Sequence, residues 1–490
     1  VKPGRERRFV TAALVLGMFL AALEATAVST AMPTVVAELG GVSRYSWVFS
    51  AYLLTSTTTV PMFGKLADLY GRRRIYLVSV TLFMLGAALS GTATSFTQLI
   101  VYRALQGLGA GGVQPVTITV VGDIYTLEER GRMQGLFSGV WAVSSLVGPA
   151  AGGLITDLLS WRWVFYLNVP FGLVSAFLLA AFLREETERQ EHSLDVAGTV
   201  SLTAAVALLL LALLEGSEAW GWTDLRTLAM IAGSGVGILY FLAQEQRAPE
   251  PMLPLELFRV PVIAVSSLGS VVIGTTMFCA SAFVPMFTQG VLGGTAIDAG
   301  MTLAPMSIGW PIASTLSGWM AVRWGYRPFA IAGGVFATAG SMLLATADAG
   351  SGPGLVMAAM FVVGLGLGFM ATPYLLAVQN AVPRRRRGVA TSSVQFFRTI
   401  GGAVAVAVLG TVLNTHLASR TSVDPNAILS PTQRTQLPAE TLRGLVSALD
   451  DGLHSVYVII AAIAALGLAV ALFFPAGSAE AHAHEEARVR

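Results

Sequence analysis

Charge is scarce in this chain. Asp, Glu, Lys and Arg make up 12% of its 490 residues, about half the ~25% usual in soluble domains. That shortage excludes an ordinary water-soluble globule. A single cysteine, Cys279, excludes an intrachain disulfide and a cysteine-based zinc site. Histidine is also rare: positions 192, 416, 454, 482 and 484 all lie outside the apolar runs or at their edges. No GxxxxGK[ST] phosphate loop occurs, so nothing in the sequence supports ATP as the source of drive. The net charge of +2 gives no reason to expect a nucleic-acid partner. What is abundant is apolar residues, 54% of the chain, with a mean hydropathy of +0.69. They come in blocks long enough to cross a ~30 Å hydrocarbon layer as helices. The sequence therefore reads as an all-α polytopic membrane protein, because an open chain in lipid must satisfy its backbone polar groups within each helix.

Fourteen apolar stretches can be separated. Seven lie near 9–33, 45–65, 75–93, 97–122, 133–155, 163–183 and 195–214, and seven near 226–244, 260–288, 297–320, 328–347, 354–380, 388–414 and 453–474. The opening "VKPGRERRF" leads straight into further spans, so it reads as an uncleaved first span. With the N-terminus placed in the cytoplasm, 22 of the 30 Lys and Arg fall on the inner side and 6 on the outer side, with Arg103 and Arg398 inside spans. Basic residues mark cytoplasmic loops, so both termini are expected there. Arg384–Arg387 serves as an orientation anchor on this reading. The stretch 184–195, "REETERQEHSLD", reads as a solvated connection, and 476–490 as a disordered tail in which His482 and His484 are exposed. In the polar loop 415–452, Leu442, Leu445, Val446 and Leu449 share one helical face, which predicts a surface helix ahead of the last span.

"GKLADLYGRRR" (64–74) and "GWMAVRWGYRP" (318–328) repeat a glycine, a second glycine seven positions on, then arginine. The pair suggests duplicated halves, residues 1–184 and 260–475, with two inserted helices in 185–259. Repeat halves around a midplane site are the architecture of secondary transporters.

Five stretches together resemble the major facilitator superfamily, and specifically its fourteen-helix drug:proton antiporters of the EmrB/QacA type. They are 64–74 with Gly64, Asp68, Gly71, Arg72 and Arg73; "LIVYRALQGLGAGG" (99–112) with Arg103, Gln106 and Gly107; "GVWAVSSLVGPAAGG" (139–153) with Gly148, Pro149, Gly152 and Gly153; "LEATAVSTAMP" (23–33); and "WRWVFYLNVPFG" (161–172). The first-helix stretch departs from the family's pattern by placing Glu24 where Asp is usual and lacking its Asn at Ser29 or Thr30. The resemblance implies two six-helix halves plus two inserted helices, export of lipophilic compounds or drugs across the cytoplasmic membrane, and no resident cofactor. It also implies that Asp68 and the arginines beside it hold the cytoplasmic side closed. Gly148-Pro149 would bend the fifth span, and Gly152 and Gly153 would allow close helix approach or a hinge.

Embedded charges are costly and normally have partners. At ~1.5 Å per residue, Glu24 and Arg103 land at similar depth in the outer half, so they are expected to meet directly or through water. Burial disfavours a charged carboxylate and a nearby cation favours it. A changing Glu24–Arg103 distance would therefore load and unload a proton, and the alternative is a permanently charged structural pair.

Candidate substrate-binding residues are Tyr52, Gln114, Trp141, Met277, Phe278, Phe283, Trp310, Tyr374, Gln395, Phe396 and Arg398, polar or aromatic positions within spans of both halves. Large polarizable side chains suit adaptable binding. A single deep carboxylate argues against multiply charged cations and for neutral or singly charged lipophilic compounds. Two rival readings are a dedicated exporter or flippase of a lipid or metabolite on the same fold, and a membrane-embedded enzyme. The second would need a paired-carboxylate, metal or Ser/His site at membrane depth.

Overall fold

The computed structural model describes residues 4–39, 45–185, 195–218, 220–249, 251, 253–420 and 437–476. Among them are fifteen α-helices and no strand. The first half holds α1 (Arg5–Leu39), α2 (Tyr45–Tyr70), α3 (Arg72–Gly91), α4 (Phe96–Ile124), α5 (Leu127–Leu158), α6 (Arg162–Tyr166) and α7 (Asn168–Phe182). Then come α8 (Val196–Glu218) and α9 (Leu225–Glu245). The second half holds α10 (Pro261–Met286), α11 (Ala296–Trp324), α12 (Arg327–Ala345), α13 (Pro353–Asn380), α14 (Arg387–Arg420) and α15 (Ala439–Leu472). Short α6 and α7 together form one apolar segment, Arg162–Phe182. Nine helical segments among the described residues are long and apolar enough to cross a membrane.

Local chemistry sets the boundaries. Ser95 caps α4 by accepting from the Gln98 amide, and Thr126 with Glu129 and Thr295 with Asp298 form reciprocal capping boxes on α5 and α11. The α2–α3 and α11–α12 turns pass through Gly71 (φ 92°) and Gly325 (φ 80°), a left-handed backbone that glycine adopts without strain. These are the second glycines of the sequence repeat, so the duplication is also a duplication of turns.

Packing repeats as well. In the first half α2 and α3 pack on α4, and α1 packs on α5; in the second, α11 and α12 pack on α13, and α10 packs on α14. The glycines of α4 permit this closeness: Cβ atoms on Gly109 and Gly112 would collide with α3, and on Gly107 and Gly111 with α2. The halves meet through α5 against α11 and α2 against α14, while α8 touches both α2 and α14 along their seam. Trp222 Nε1 donates to Thr411 Oγ1 at 3.0 Å, fastening the α8–α9 connection to α14.

Two expectations need correction. The surface helix predicted before the last span is not separate: α15 runs unbroken from Ala439 to Leu472. Leu445 and Leu449 are buried, with Leu442 and Val446 packed against the same core, so packing carries the helix straight into the bundle. At Gly153 nothing lies within 4 Å of where a Cβ would stand, so no helix approaches there. Gly148 and Gly152 are buried, and the α5 backbone stays helical through Gly148-Pro149. The connection 186–194, the loop 421–436 and the tail 477–490 lie outside the described residues.

Candidate functional site

The embedded acid sits in a closed set of donors. Glu24 on α1 is 1% exposed and Arg103 on α4 is 2% exposed. Arg103 Nη1 donates to Glu24 Oε1 and to Gln106 Oε1 (2.7 Å), and its Nε donates to the Val48 carbonyl at 3.3 Å. Asn168 Nδ2 donates to Glu24 Oε2 at 2.7 Å. The Tyr52 ring lies 4.4 Å beneath the Arg103 guanidinium and the Phe165 ring 5.9 Å from it. Both carboxylate oxygens are thus held by charged or amide donors from α4 and α7. A buried ion pair survives when its remaining hydrogen bonds are satisfied; here both carboxylate oxygens are, while Gln106 Nε2 and Asn168 Oδ1 stay buried without partners.

The sequence brings Glu24 and Arg103 together by depth, but offers Tyr52 only as a substrate candidate and does not single out Asn168. The signal for Asn168 was an amide inside an apolar segment, in "FYLNVPFG".

A second cluster closes the arginine-rich end. Asp68, on the last turns of α2, accepts from Arg72 Nη2 (2.8 Å) and from the Gly388 (3.0 Å) and Val389 (2.8 Å) amides at the start of α14. Arg72 donates to the Arg384 carbonyl at 2.6 Å and pairs with Asp123 of α4 at 3.0 Å, while Arg387 pairs with Asp123 at 3.2 Å. Arg73 Nη2 instead reaches the Ala180 carbonyl at 2.5 Å, within its own half. A Cβ on Gly64 would stand 2.7 Å from the Gly388 oxygen, so α2 and α14 touch backbone to backbone. Gly71 supplies the turn.

The duplicated position in the other half carries a version without a carboxylate. Arg130 of α5 donates from Nη1 to Asn380 Oδ1 (3.0 Å), and Asn380 Nδ2 donates to Tyr326 Oη (2.6 Å). Gly131 and Gly318 meet face to face between α5 and α11. Tyr326, Asn380 and Arg130 thus stand where Arg72, Asp123 and Arg387 stand in the charged cluster. Val322 occupies the sequence position of Asp68. Asp123, Arg130 and Asn380 escaped sequence reading because each sits at a helix end, where a polar residue needs no special explanation.

The expected substrate residues divide into two groups. Tyr52, Gln114, Trp141, Met277, Phe278, Trp310 and Arg398 keep some accessible surface. Phe283 (4%), Tyr374 (0%), Gln395 (4%) and Phe396 (7%) are buried. The Phe283 carbonyl accepts from Tyr457 Oη at 3.1 Å, and Tyr374 stacks on Phe474 with ring centroids 5.6 Å apart, so both belong to the packing of the second half. Among the described residues, no group of three His, Cys, Asp or Glu is placed to hold a metal ion.

Residues 14–406 match the pattern of the Major Facilitator Superfamily. The chain belongs to this superfamily. It is 36% identical over 456 residues to the multidrug transporter protein MdtP of Bacillus subtilis (strain 168), covering 92% of this chain and 84% of that protein. It is 31% identical over 470 residues to multidrug resistance protein 3 of the same organism, covering 92% of each. Among solved structures it resembles the human organic anion transporter MFSD10 (TM-score 0.62, 13% identity, covering 94% of this chain and 100% of that one), a likeness that shows the fold alone. This superfamily member is a multi-pass membrane transporter of small molecules and not an enzyme.

Proposed function

We propose that this protein is a proton-coupled antiporter of the fourteen-helix EmrB/QacA type. On this reading it exports neutral or singly charged lipophilic compounds, drugs among them, across the cytoplasmic membrane by alternating access. Fourteen spans put both termini and the arginine-rich end in the cytoplasm, in line with the basic-residue bias. The observation that carries the reading is the buried Glu24–Arg103–Asn168 cluster: a deeply embedded carboxylate with a cation against it. Glu24 takes up a proton when its site opens outward and gives it up when the site opens inward, and Arg103 modulates its affinity. The two interfacial clusters at the arginine-rich end hold the cytoplasmic side shut, with Gly64, Asp68, Gly71, Arg72 and Arg73 in the charged one. Gly148, Pro149, Gly152 and Gly153 form the segment of α5 that flexes between states. Tyr52, Gln114, Trp141, Met277, Phe278, Trp310, Gln395, Phe396 and Arg398 are the side chains offered to substrate.

The drive is adequate. One proton carries about 2.3 kcal/mol per 100 mV and about 1.4 kcal/mol per pH unit. At about 1.4 kcal/mol per decade of gradient, that sustains an accumulation of roughly a hundredfold. The names of the Bacillus relatives favour drugs over a dedicated lipid or metabolite.

The test is flux in proteoliposomes under an imposed pH gradient, with a panel of lipophilic compounds. The wild type is expected to couple flux to the gradient and Glu24→Gln to abolish coupling. Full gradient-driven flux by Glu24→Gln refutes the assignment, and transport of one compound class alone favours a dedicated exporter.

A further inference from the structure

The charge balance inside the bundle is uneven. The expected spans contain three clearly interior charges: Glu24, Arg103 and Arg398. The first two neutralise each other, and both oxygens of Glu24 are occupied by donors from its own half. Arg398, on α14 of the other half, has no hydrogen bond, ion pair or ring contact to any described residue, although protein surrounds it. It nevertheless keeps part of its surface accessible. One turn earlier on α14, the Gln395 side chain is 4% exposed and likewise has no hydrogen-bond partner among the described residues. Positions i and i+3 are neighbours on a helix surface, so a guanidinium and an amide stand side by side, both unengaged. The α14 backbone is fixed there, because Gly274 of α10 packs against the Arg398 main chain.

An uncompensated cation in a low-dielectric interior is costly, and a guanidinium presents a fork of donors that matches planar or tetrahedral oxyanions. Resting on the transporter reading above, we infer that Arg398 and Gln395 form a recognition site for one anionic group, a carboxylate or sulfonate, on an otherwise lipophilic substrate. The second half thus selects the cargo's charge, while Glu24, with no free oxygen, is not offered to a cationic one. If one proton enters through Glu24 for each anion leaving, two elementary charges move per cycle, and export responds to membrane potential as well as to pH.

The test uses purified full-length protein in nanodiscs, with empty nanodiscs as the blank, and isothermal titration calorimetry. The probes are 8-anilinonaphthalene-1-sulfonate and N-phenyl-1-naphthylamine, which share a skeleton and differ by the sulfonate. Hydrogen bonds to charged groups are strong enough that the wild type should bind the sulfonate at least tenfold more tightly. In Arg398→Gln the ratio should fall to within about twofold with binding of the neutral amine kept; Arg398→Lys should retain a preference. Equal affinities in the wild type, or an unchanged ratio in Arg398→Gln, overturn the site. Should Arg398→Gln fail to fold, the wild-type ratio together with Gln395→Leu decides: a retained tenfold preference that Gln395→Leu reduces supports the site, and a ratio it leaves unchanged overturns it. Binding needs no proton gradient, so a protein that passes this test yet shows no gradient-driven flux refutes the antiporter reading and leaves the anion site standing.

Discussion

Adding one methyl group at the Gly131–Gly318 contact should open the arginine-rich end. A Cβ on Gly131 would stand 2.5 Å from the Gly318 carbonyl carbon and 2.8 Å from its oxygen. Ordinary contact begins near 3.4 Å, and the atoms met are backbone, which cannot rotate away. Helices α5 and α11 must therefore separate by about 1 Å or the end must open. Overpacking of this kind costs about 1–3 kcal/mol, which shifts the ratio of closed to open by roughly 5- to 150-fold at about 1.4 kcal/mol per decade. The cost falls only on the state in which the two glycines touch, so Gly131→Ala acts on conformation more than on overall stability. Spin labels at exposed Glu128 on α5 and Arg323 on α11, with buried Cys279 replaced by Ser, would report the separation by double electron–electron resonance. The distribution should move to longer distances in Gly131→Ala and stay in place in Gly139→Ala, where a Cβ meets nothing within 4 Å. An unchanged distribution in Gly131→Ala would show that the two helices do not form a backbone contact at this end.

Asn380→Asp should give Arg130 an ion-pair partner in the carboxylate-free cluster and slow turnover several-fold, measured as drug efflux at constant expression; faster efflux contradicts the latch role. Asp68 lies past the apolar stretch 45–65, and burial pushes its carboxyl up to about 7, against the pull of Arg72 and the Val389 and Gly388 amides. Opening would return it to water and to its ordinary range near 3.8. The closed form therefore binds the extra proton. Its advantage is full below about pH 4, is lost as pH rises toward 7, and is flat above that. The spin-label distance should accordingly show more open protein at pH 7.5 than at pH 5, and Asp68→Asn should remove the dependence. Tyr374 Oη is buried without a partner, so Tyr374→Phe should leave thermal stability equal or raise it by about 1 kcal/mol with transport intact; loss of substrate binding would return Tyr374 to the cargo site. Glu38 is partly exposed and pairs with Arg162 at 2.6 Å, so Glu38→Gln should cost under about 1 kcal/mol in thermal unfolding.

Much of this was legible before any coordinates. Long apolar stretches fix helices because lipid leaves the backbone no other solution, and each expected stretch falls on a helix. The approach of Glu24 to Arg103 followed from depth along two helices at a fixed rise per residue. Depth, however, gives no azimuth. Phe283 and Tyr374 looked like cargo contacts in sequence but turn into the core, because an aromatic inside a span has the same appearance on either face. Asn168, which completes the acid's shell, is one amide on a third helix, and only tertiary packing brings it to Glu24. The carboxylate-free cluster was hidden for a different reason: it repeats the geometry of the charged one with Val322, Tyr326 and Asn380 in place of Asp68, Arg72 and Asp123, so similarity of sequence does not reveal it.

Among the described residues, every donor that grips Glu24 comes from before residue 185. On the proposed antiporter reading, energy conversion is then wired within one lobe, and the other can be rewritten without touching the donors around Glu24. A lineage built on that plan could change what it expels by substitutions along α10, α11, α13 and α14 while the donors around Glu24 stay in place. On that reading, chimaeras that keep this first lobe and borrow a second from a relative should keep their own fuel while their cargo preference shifts toward the donor's.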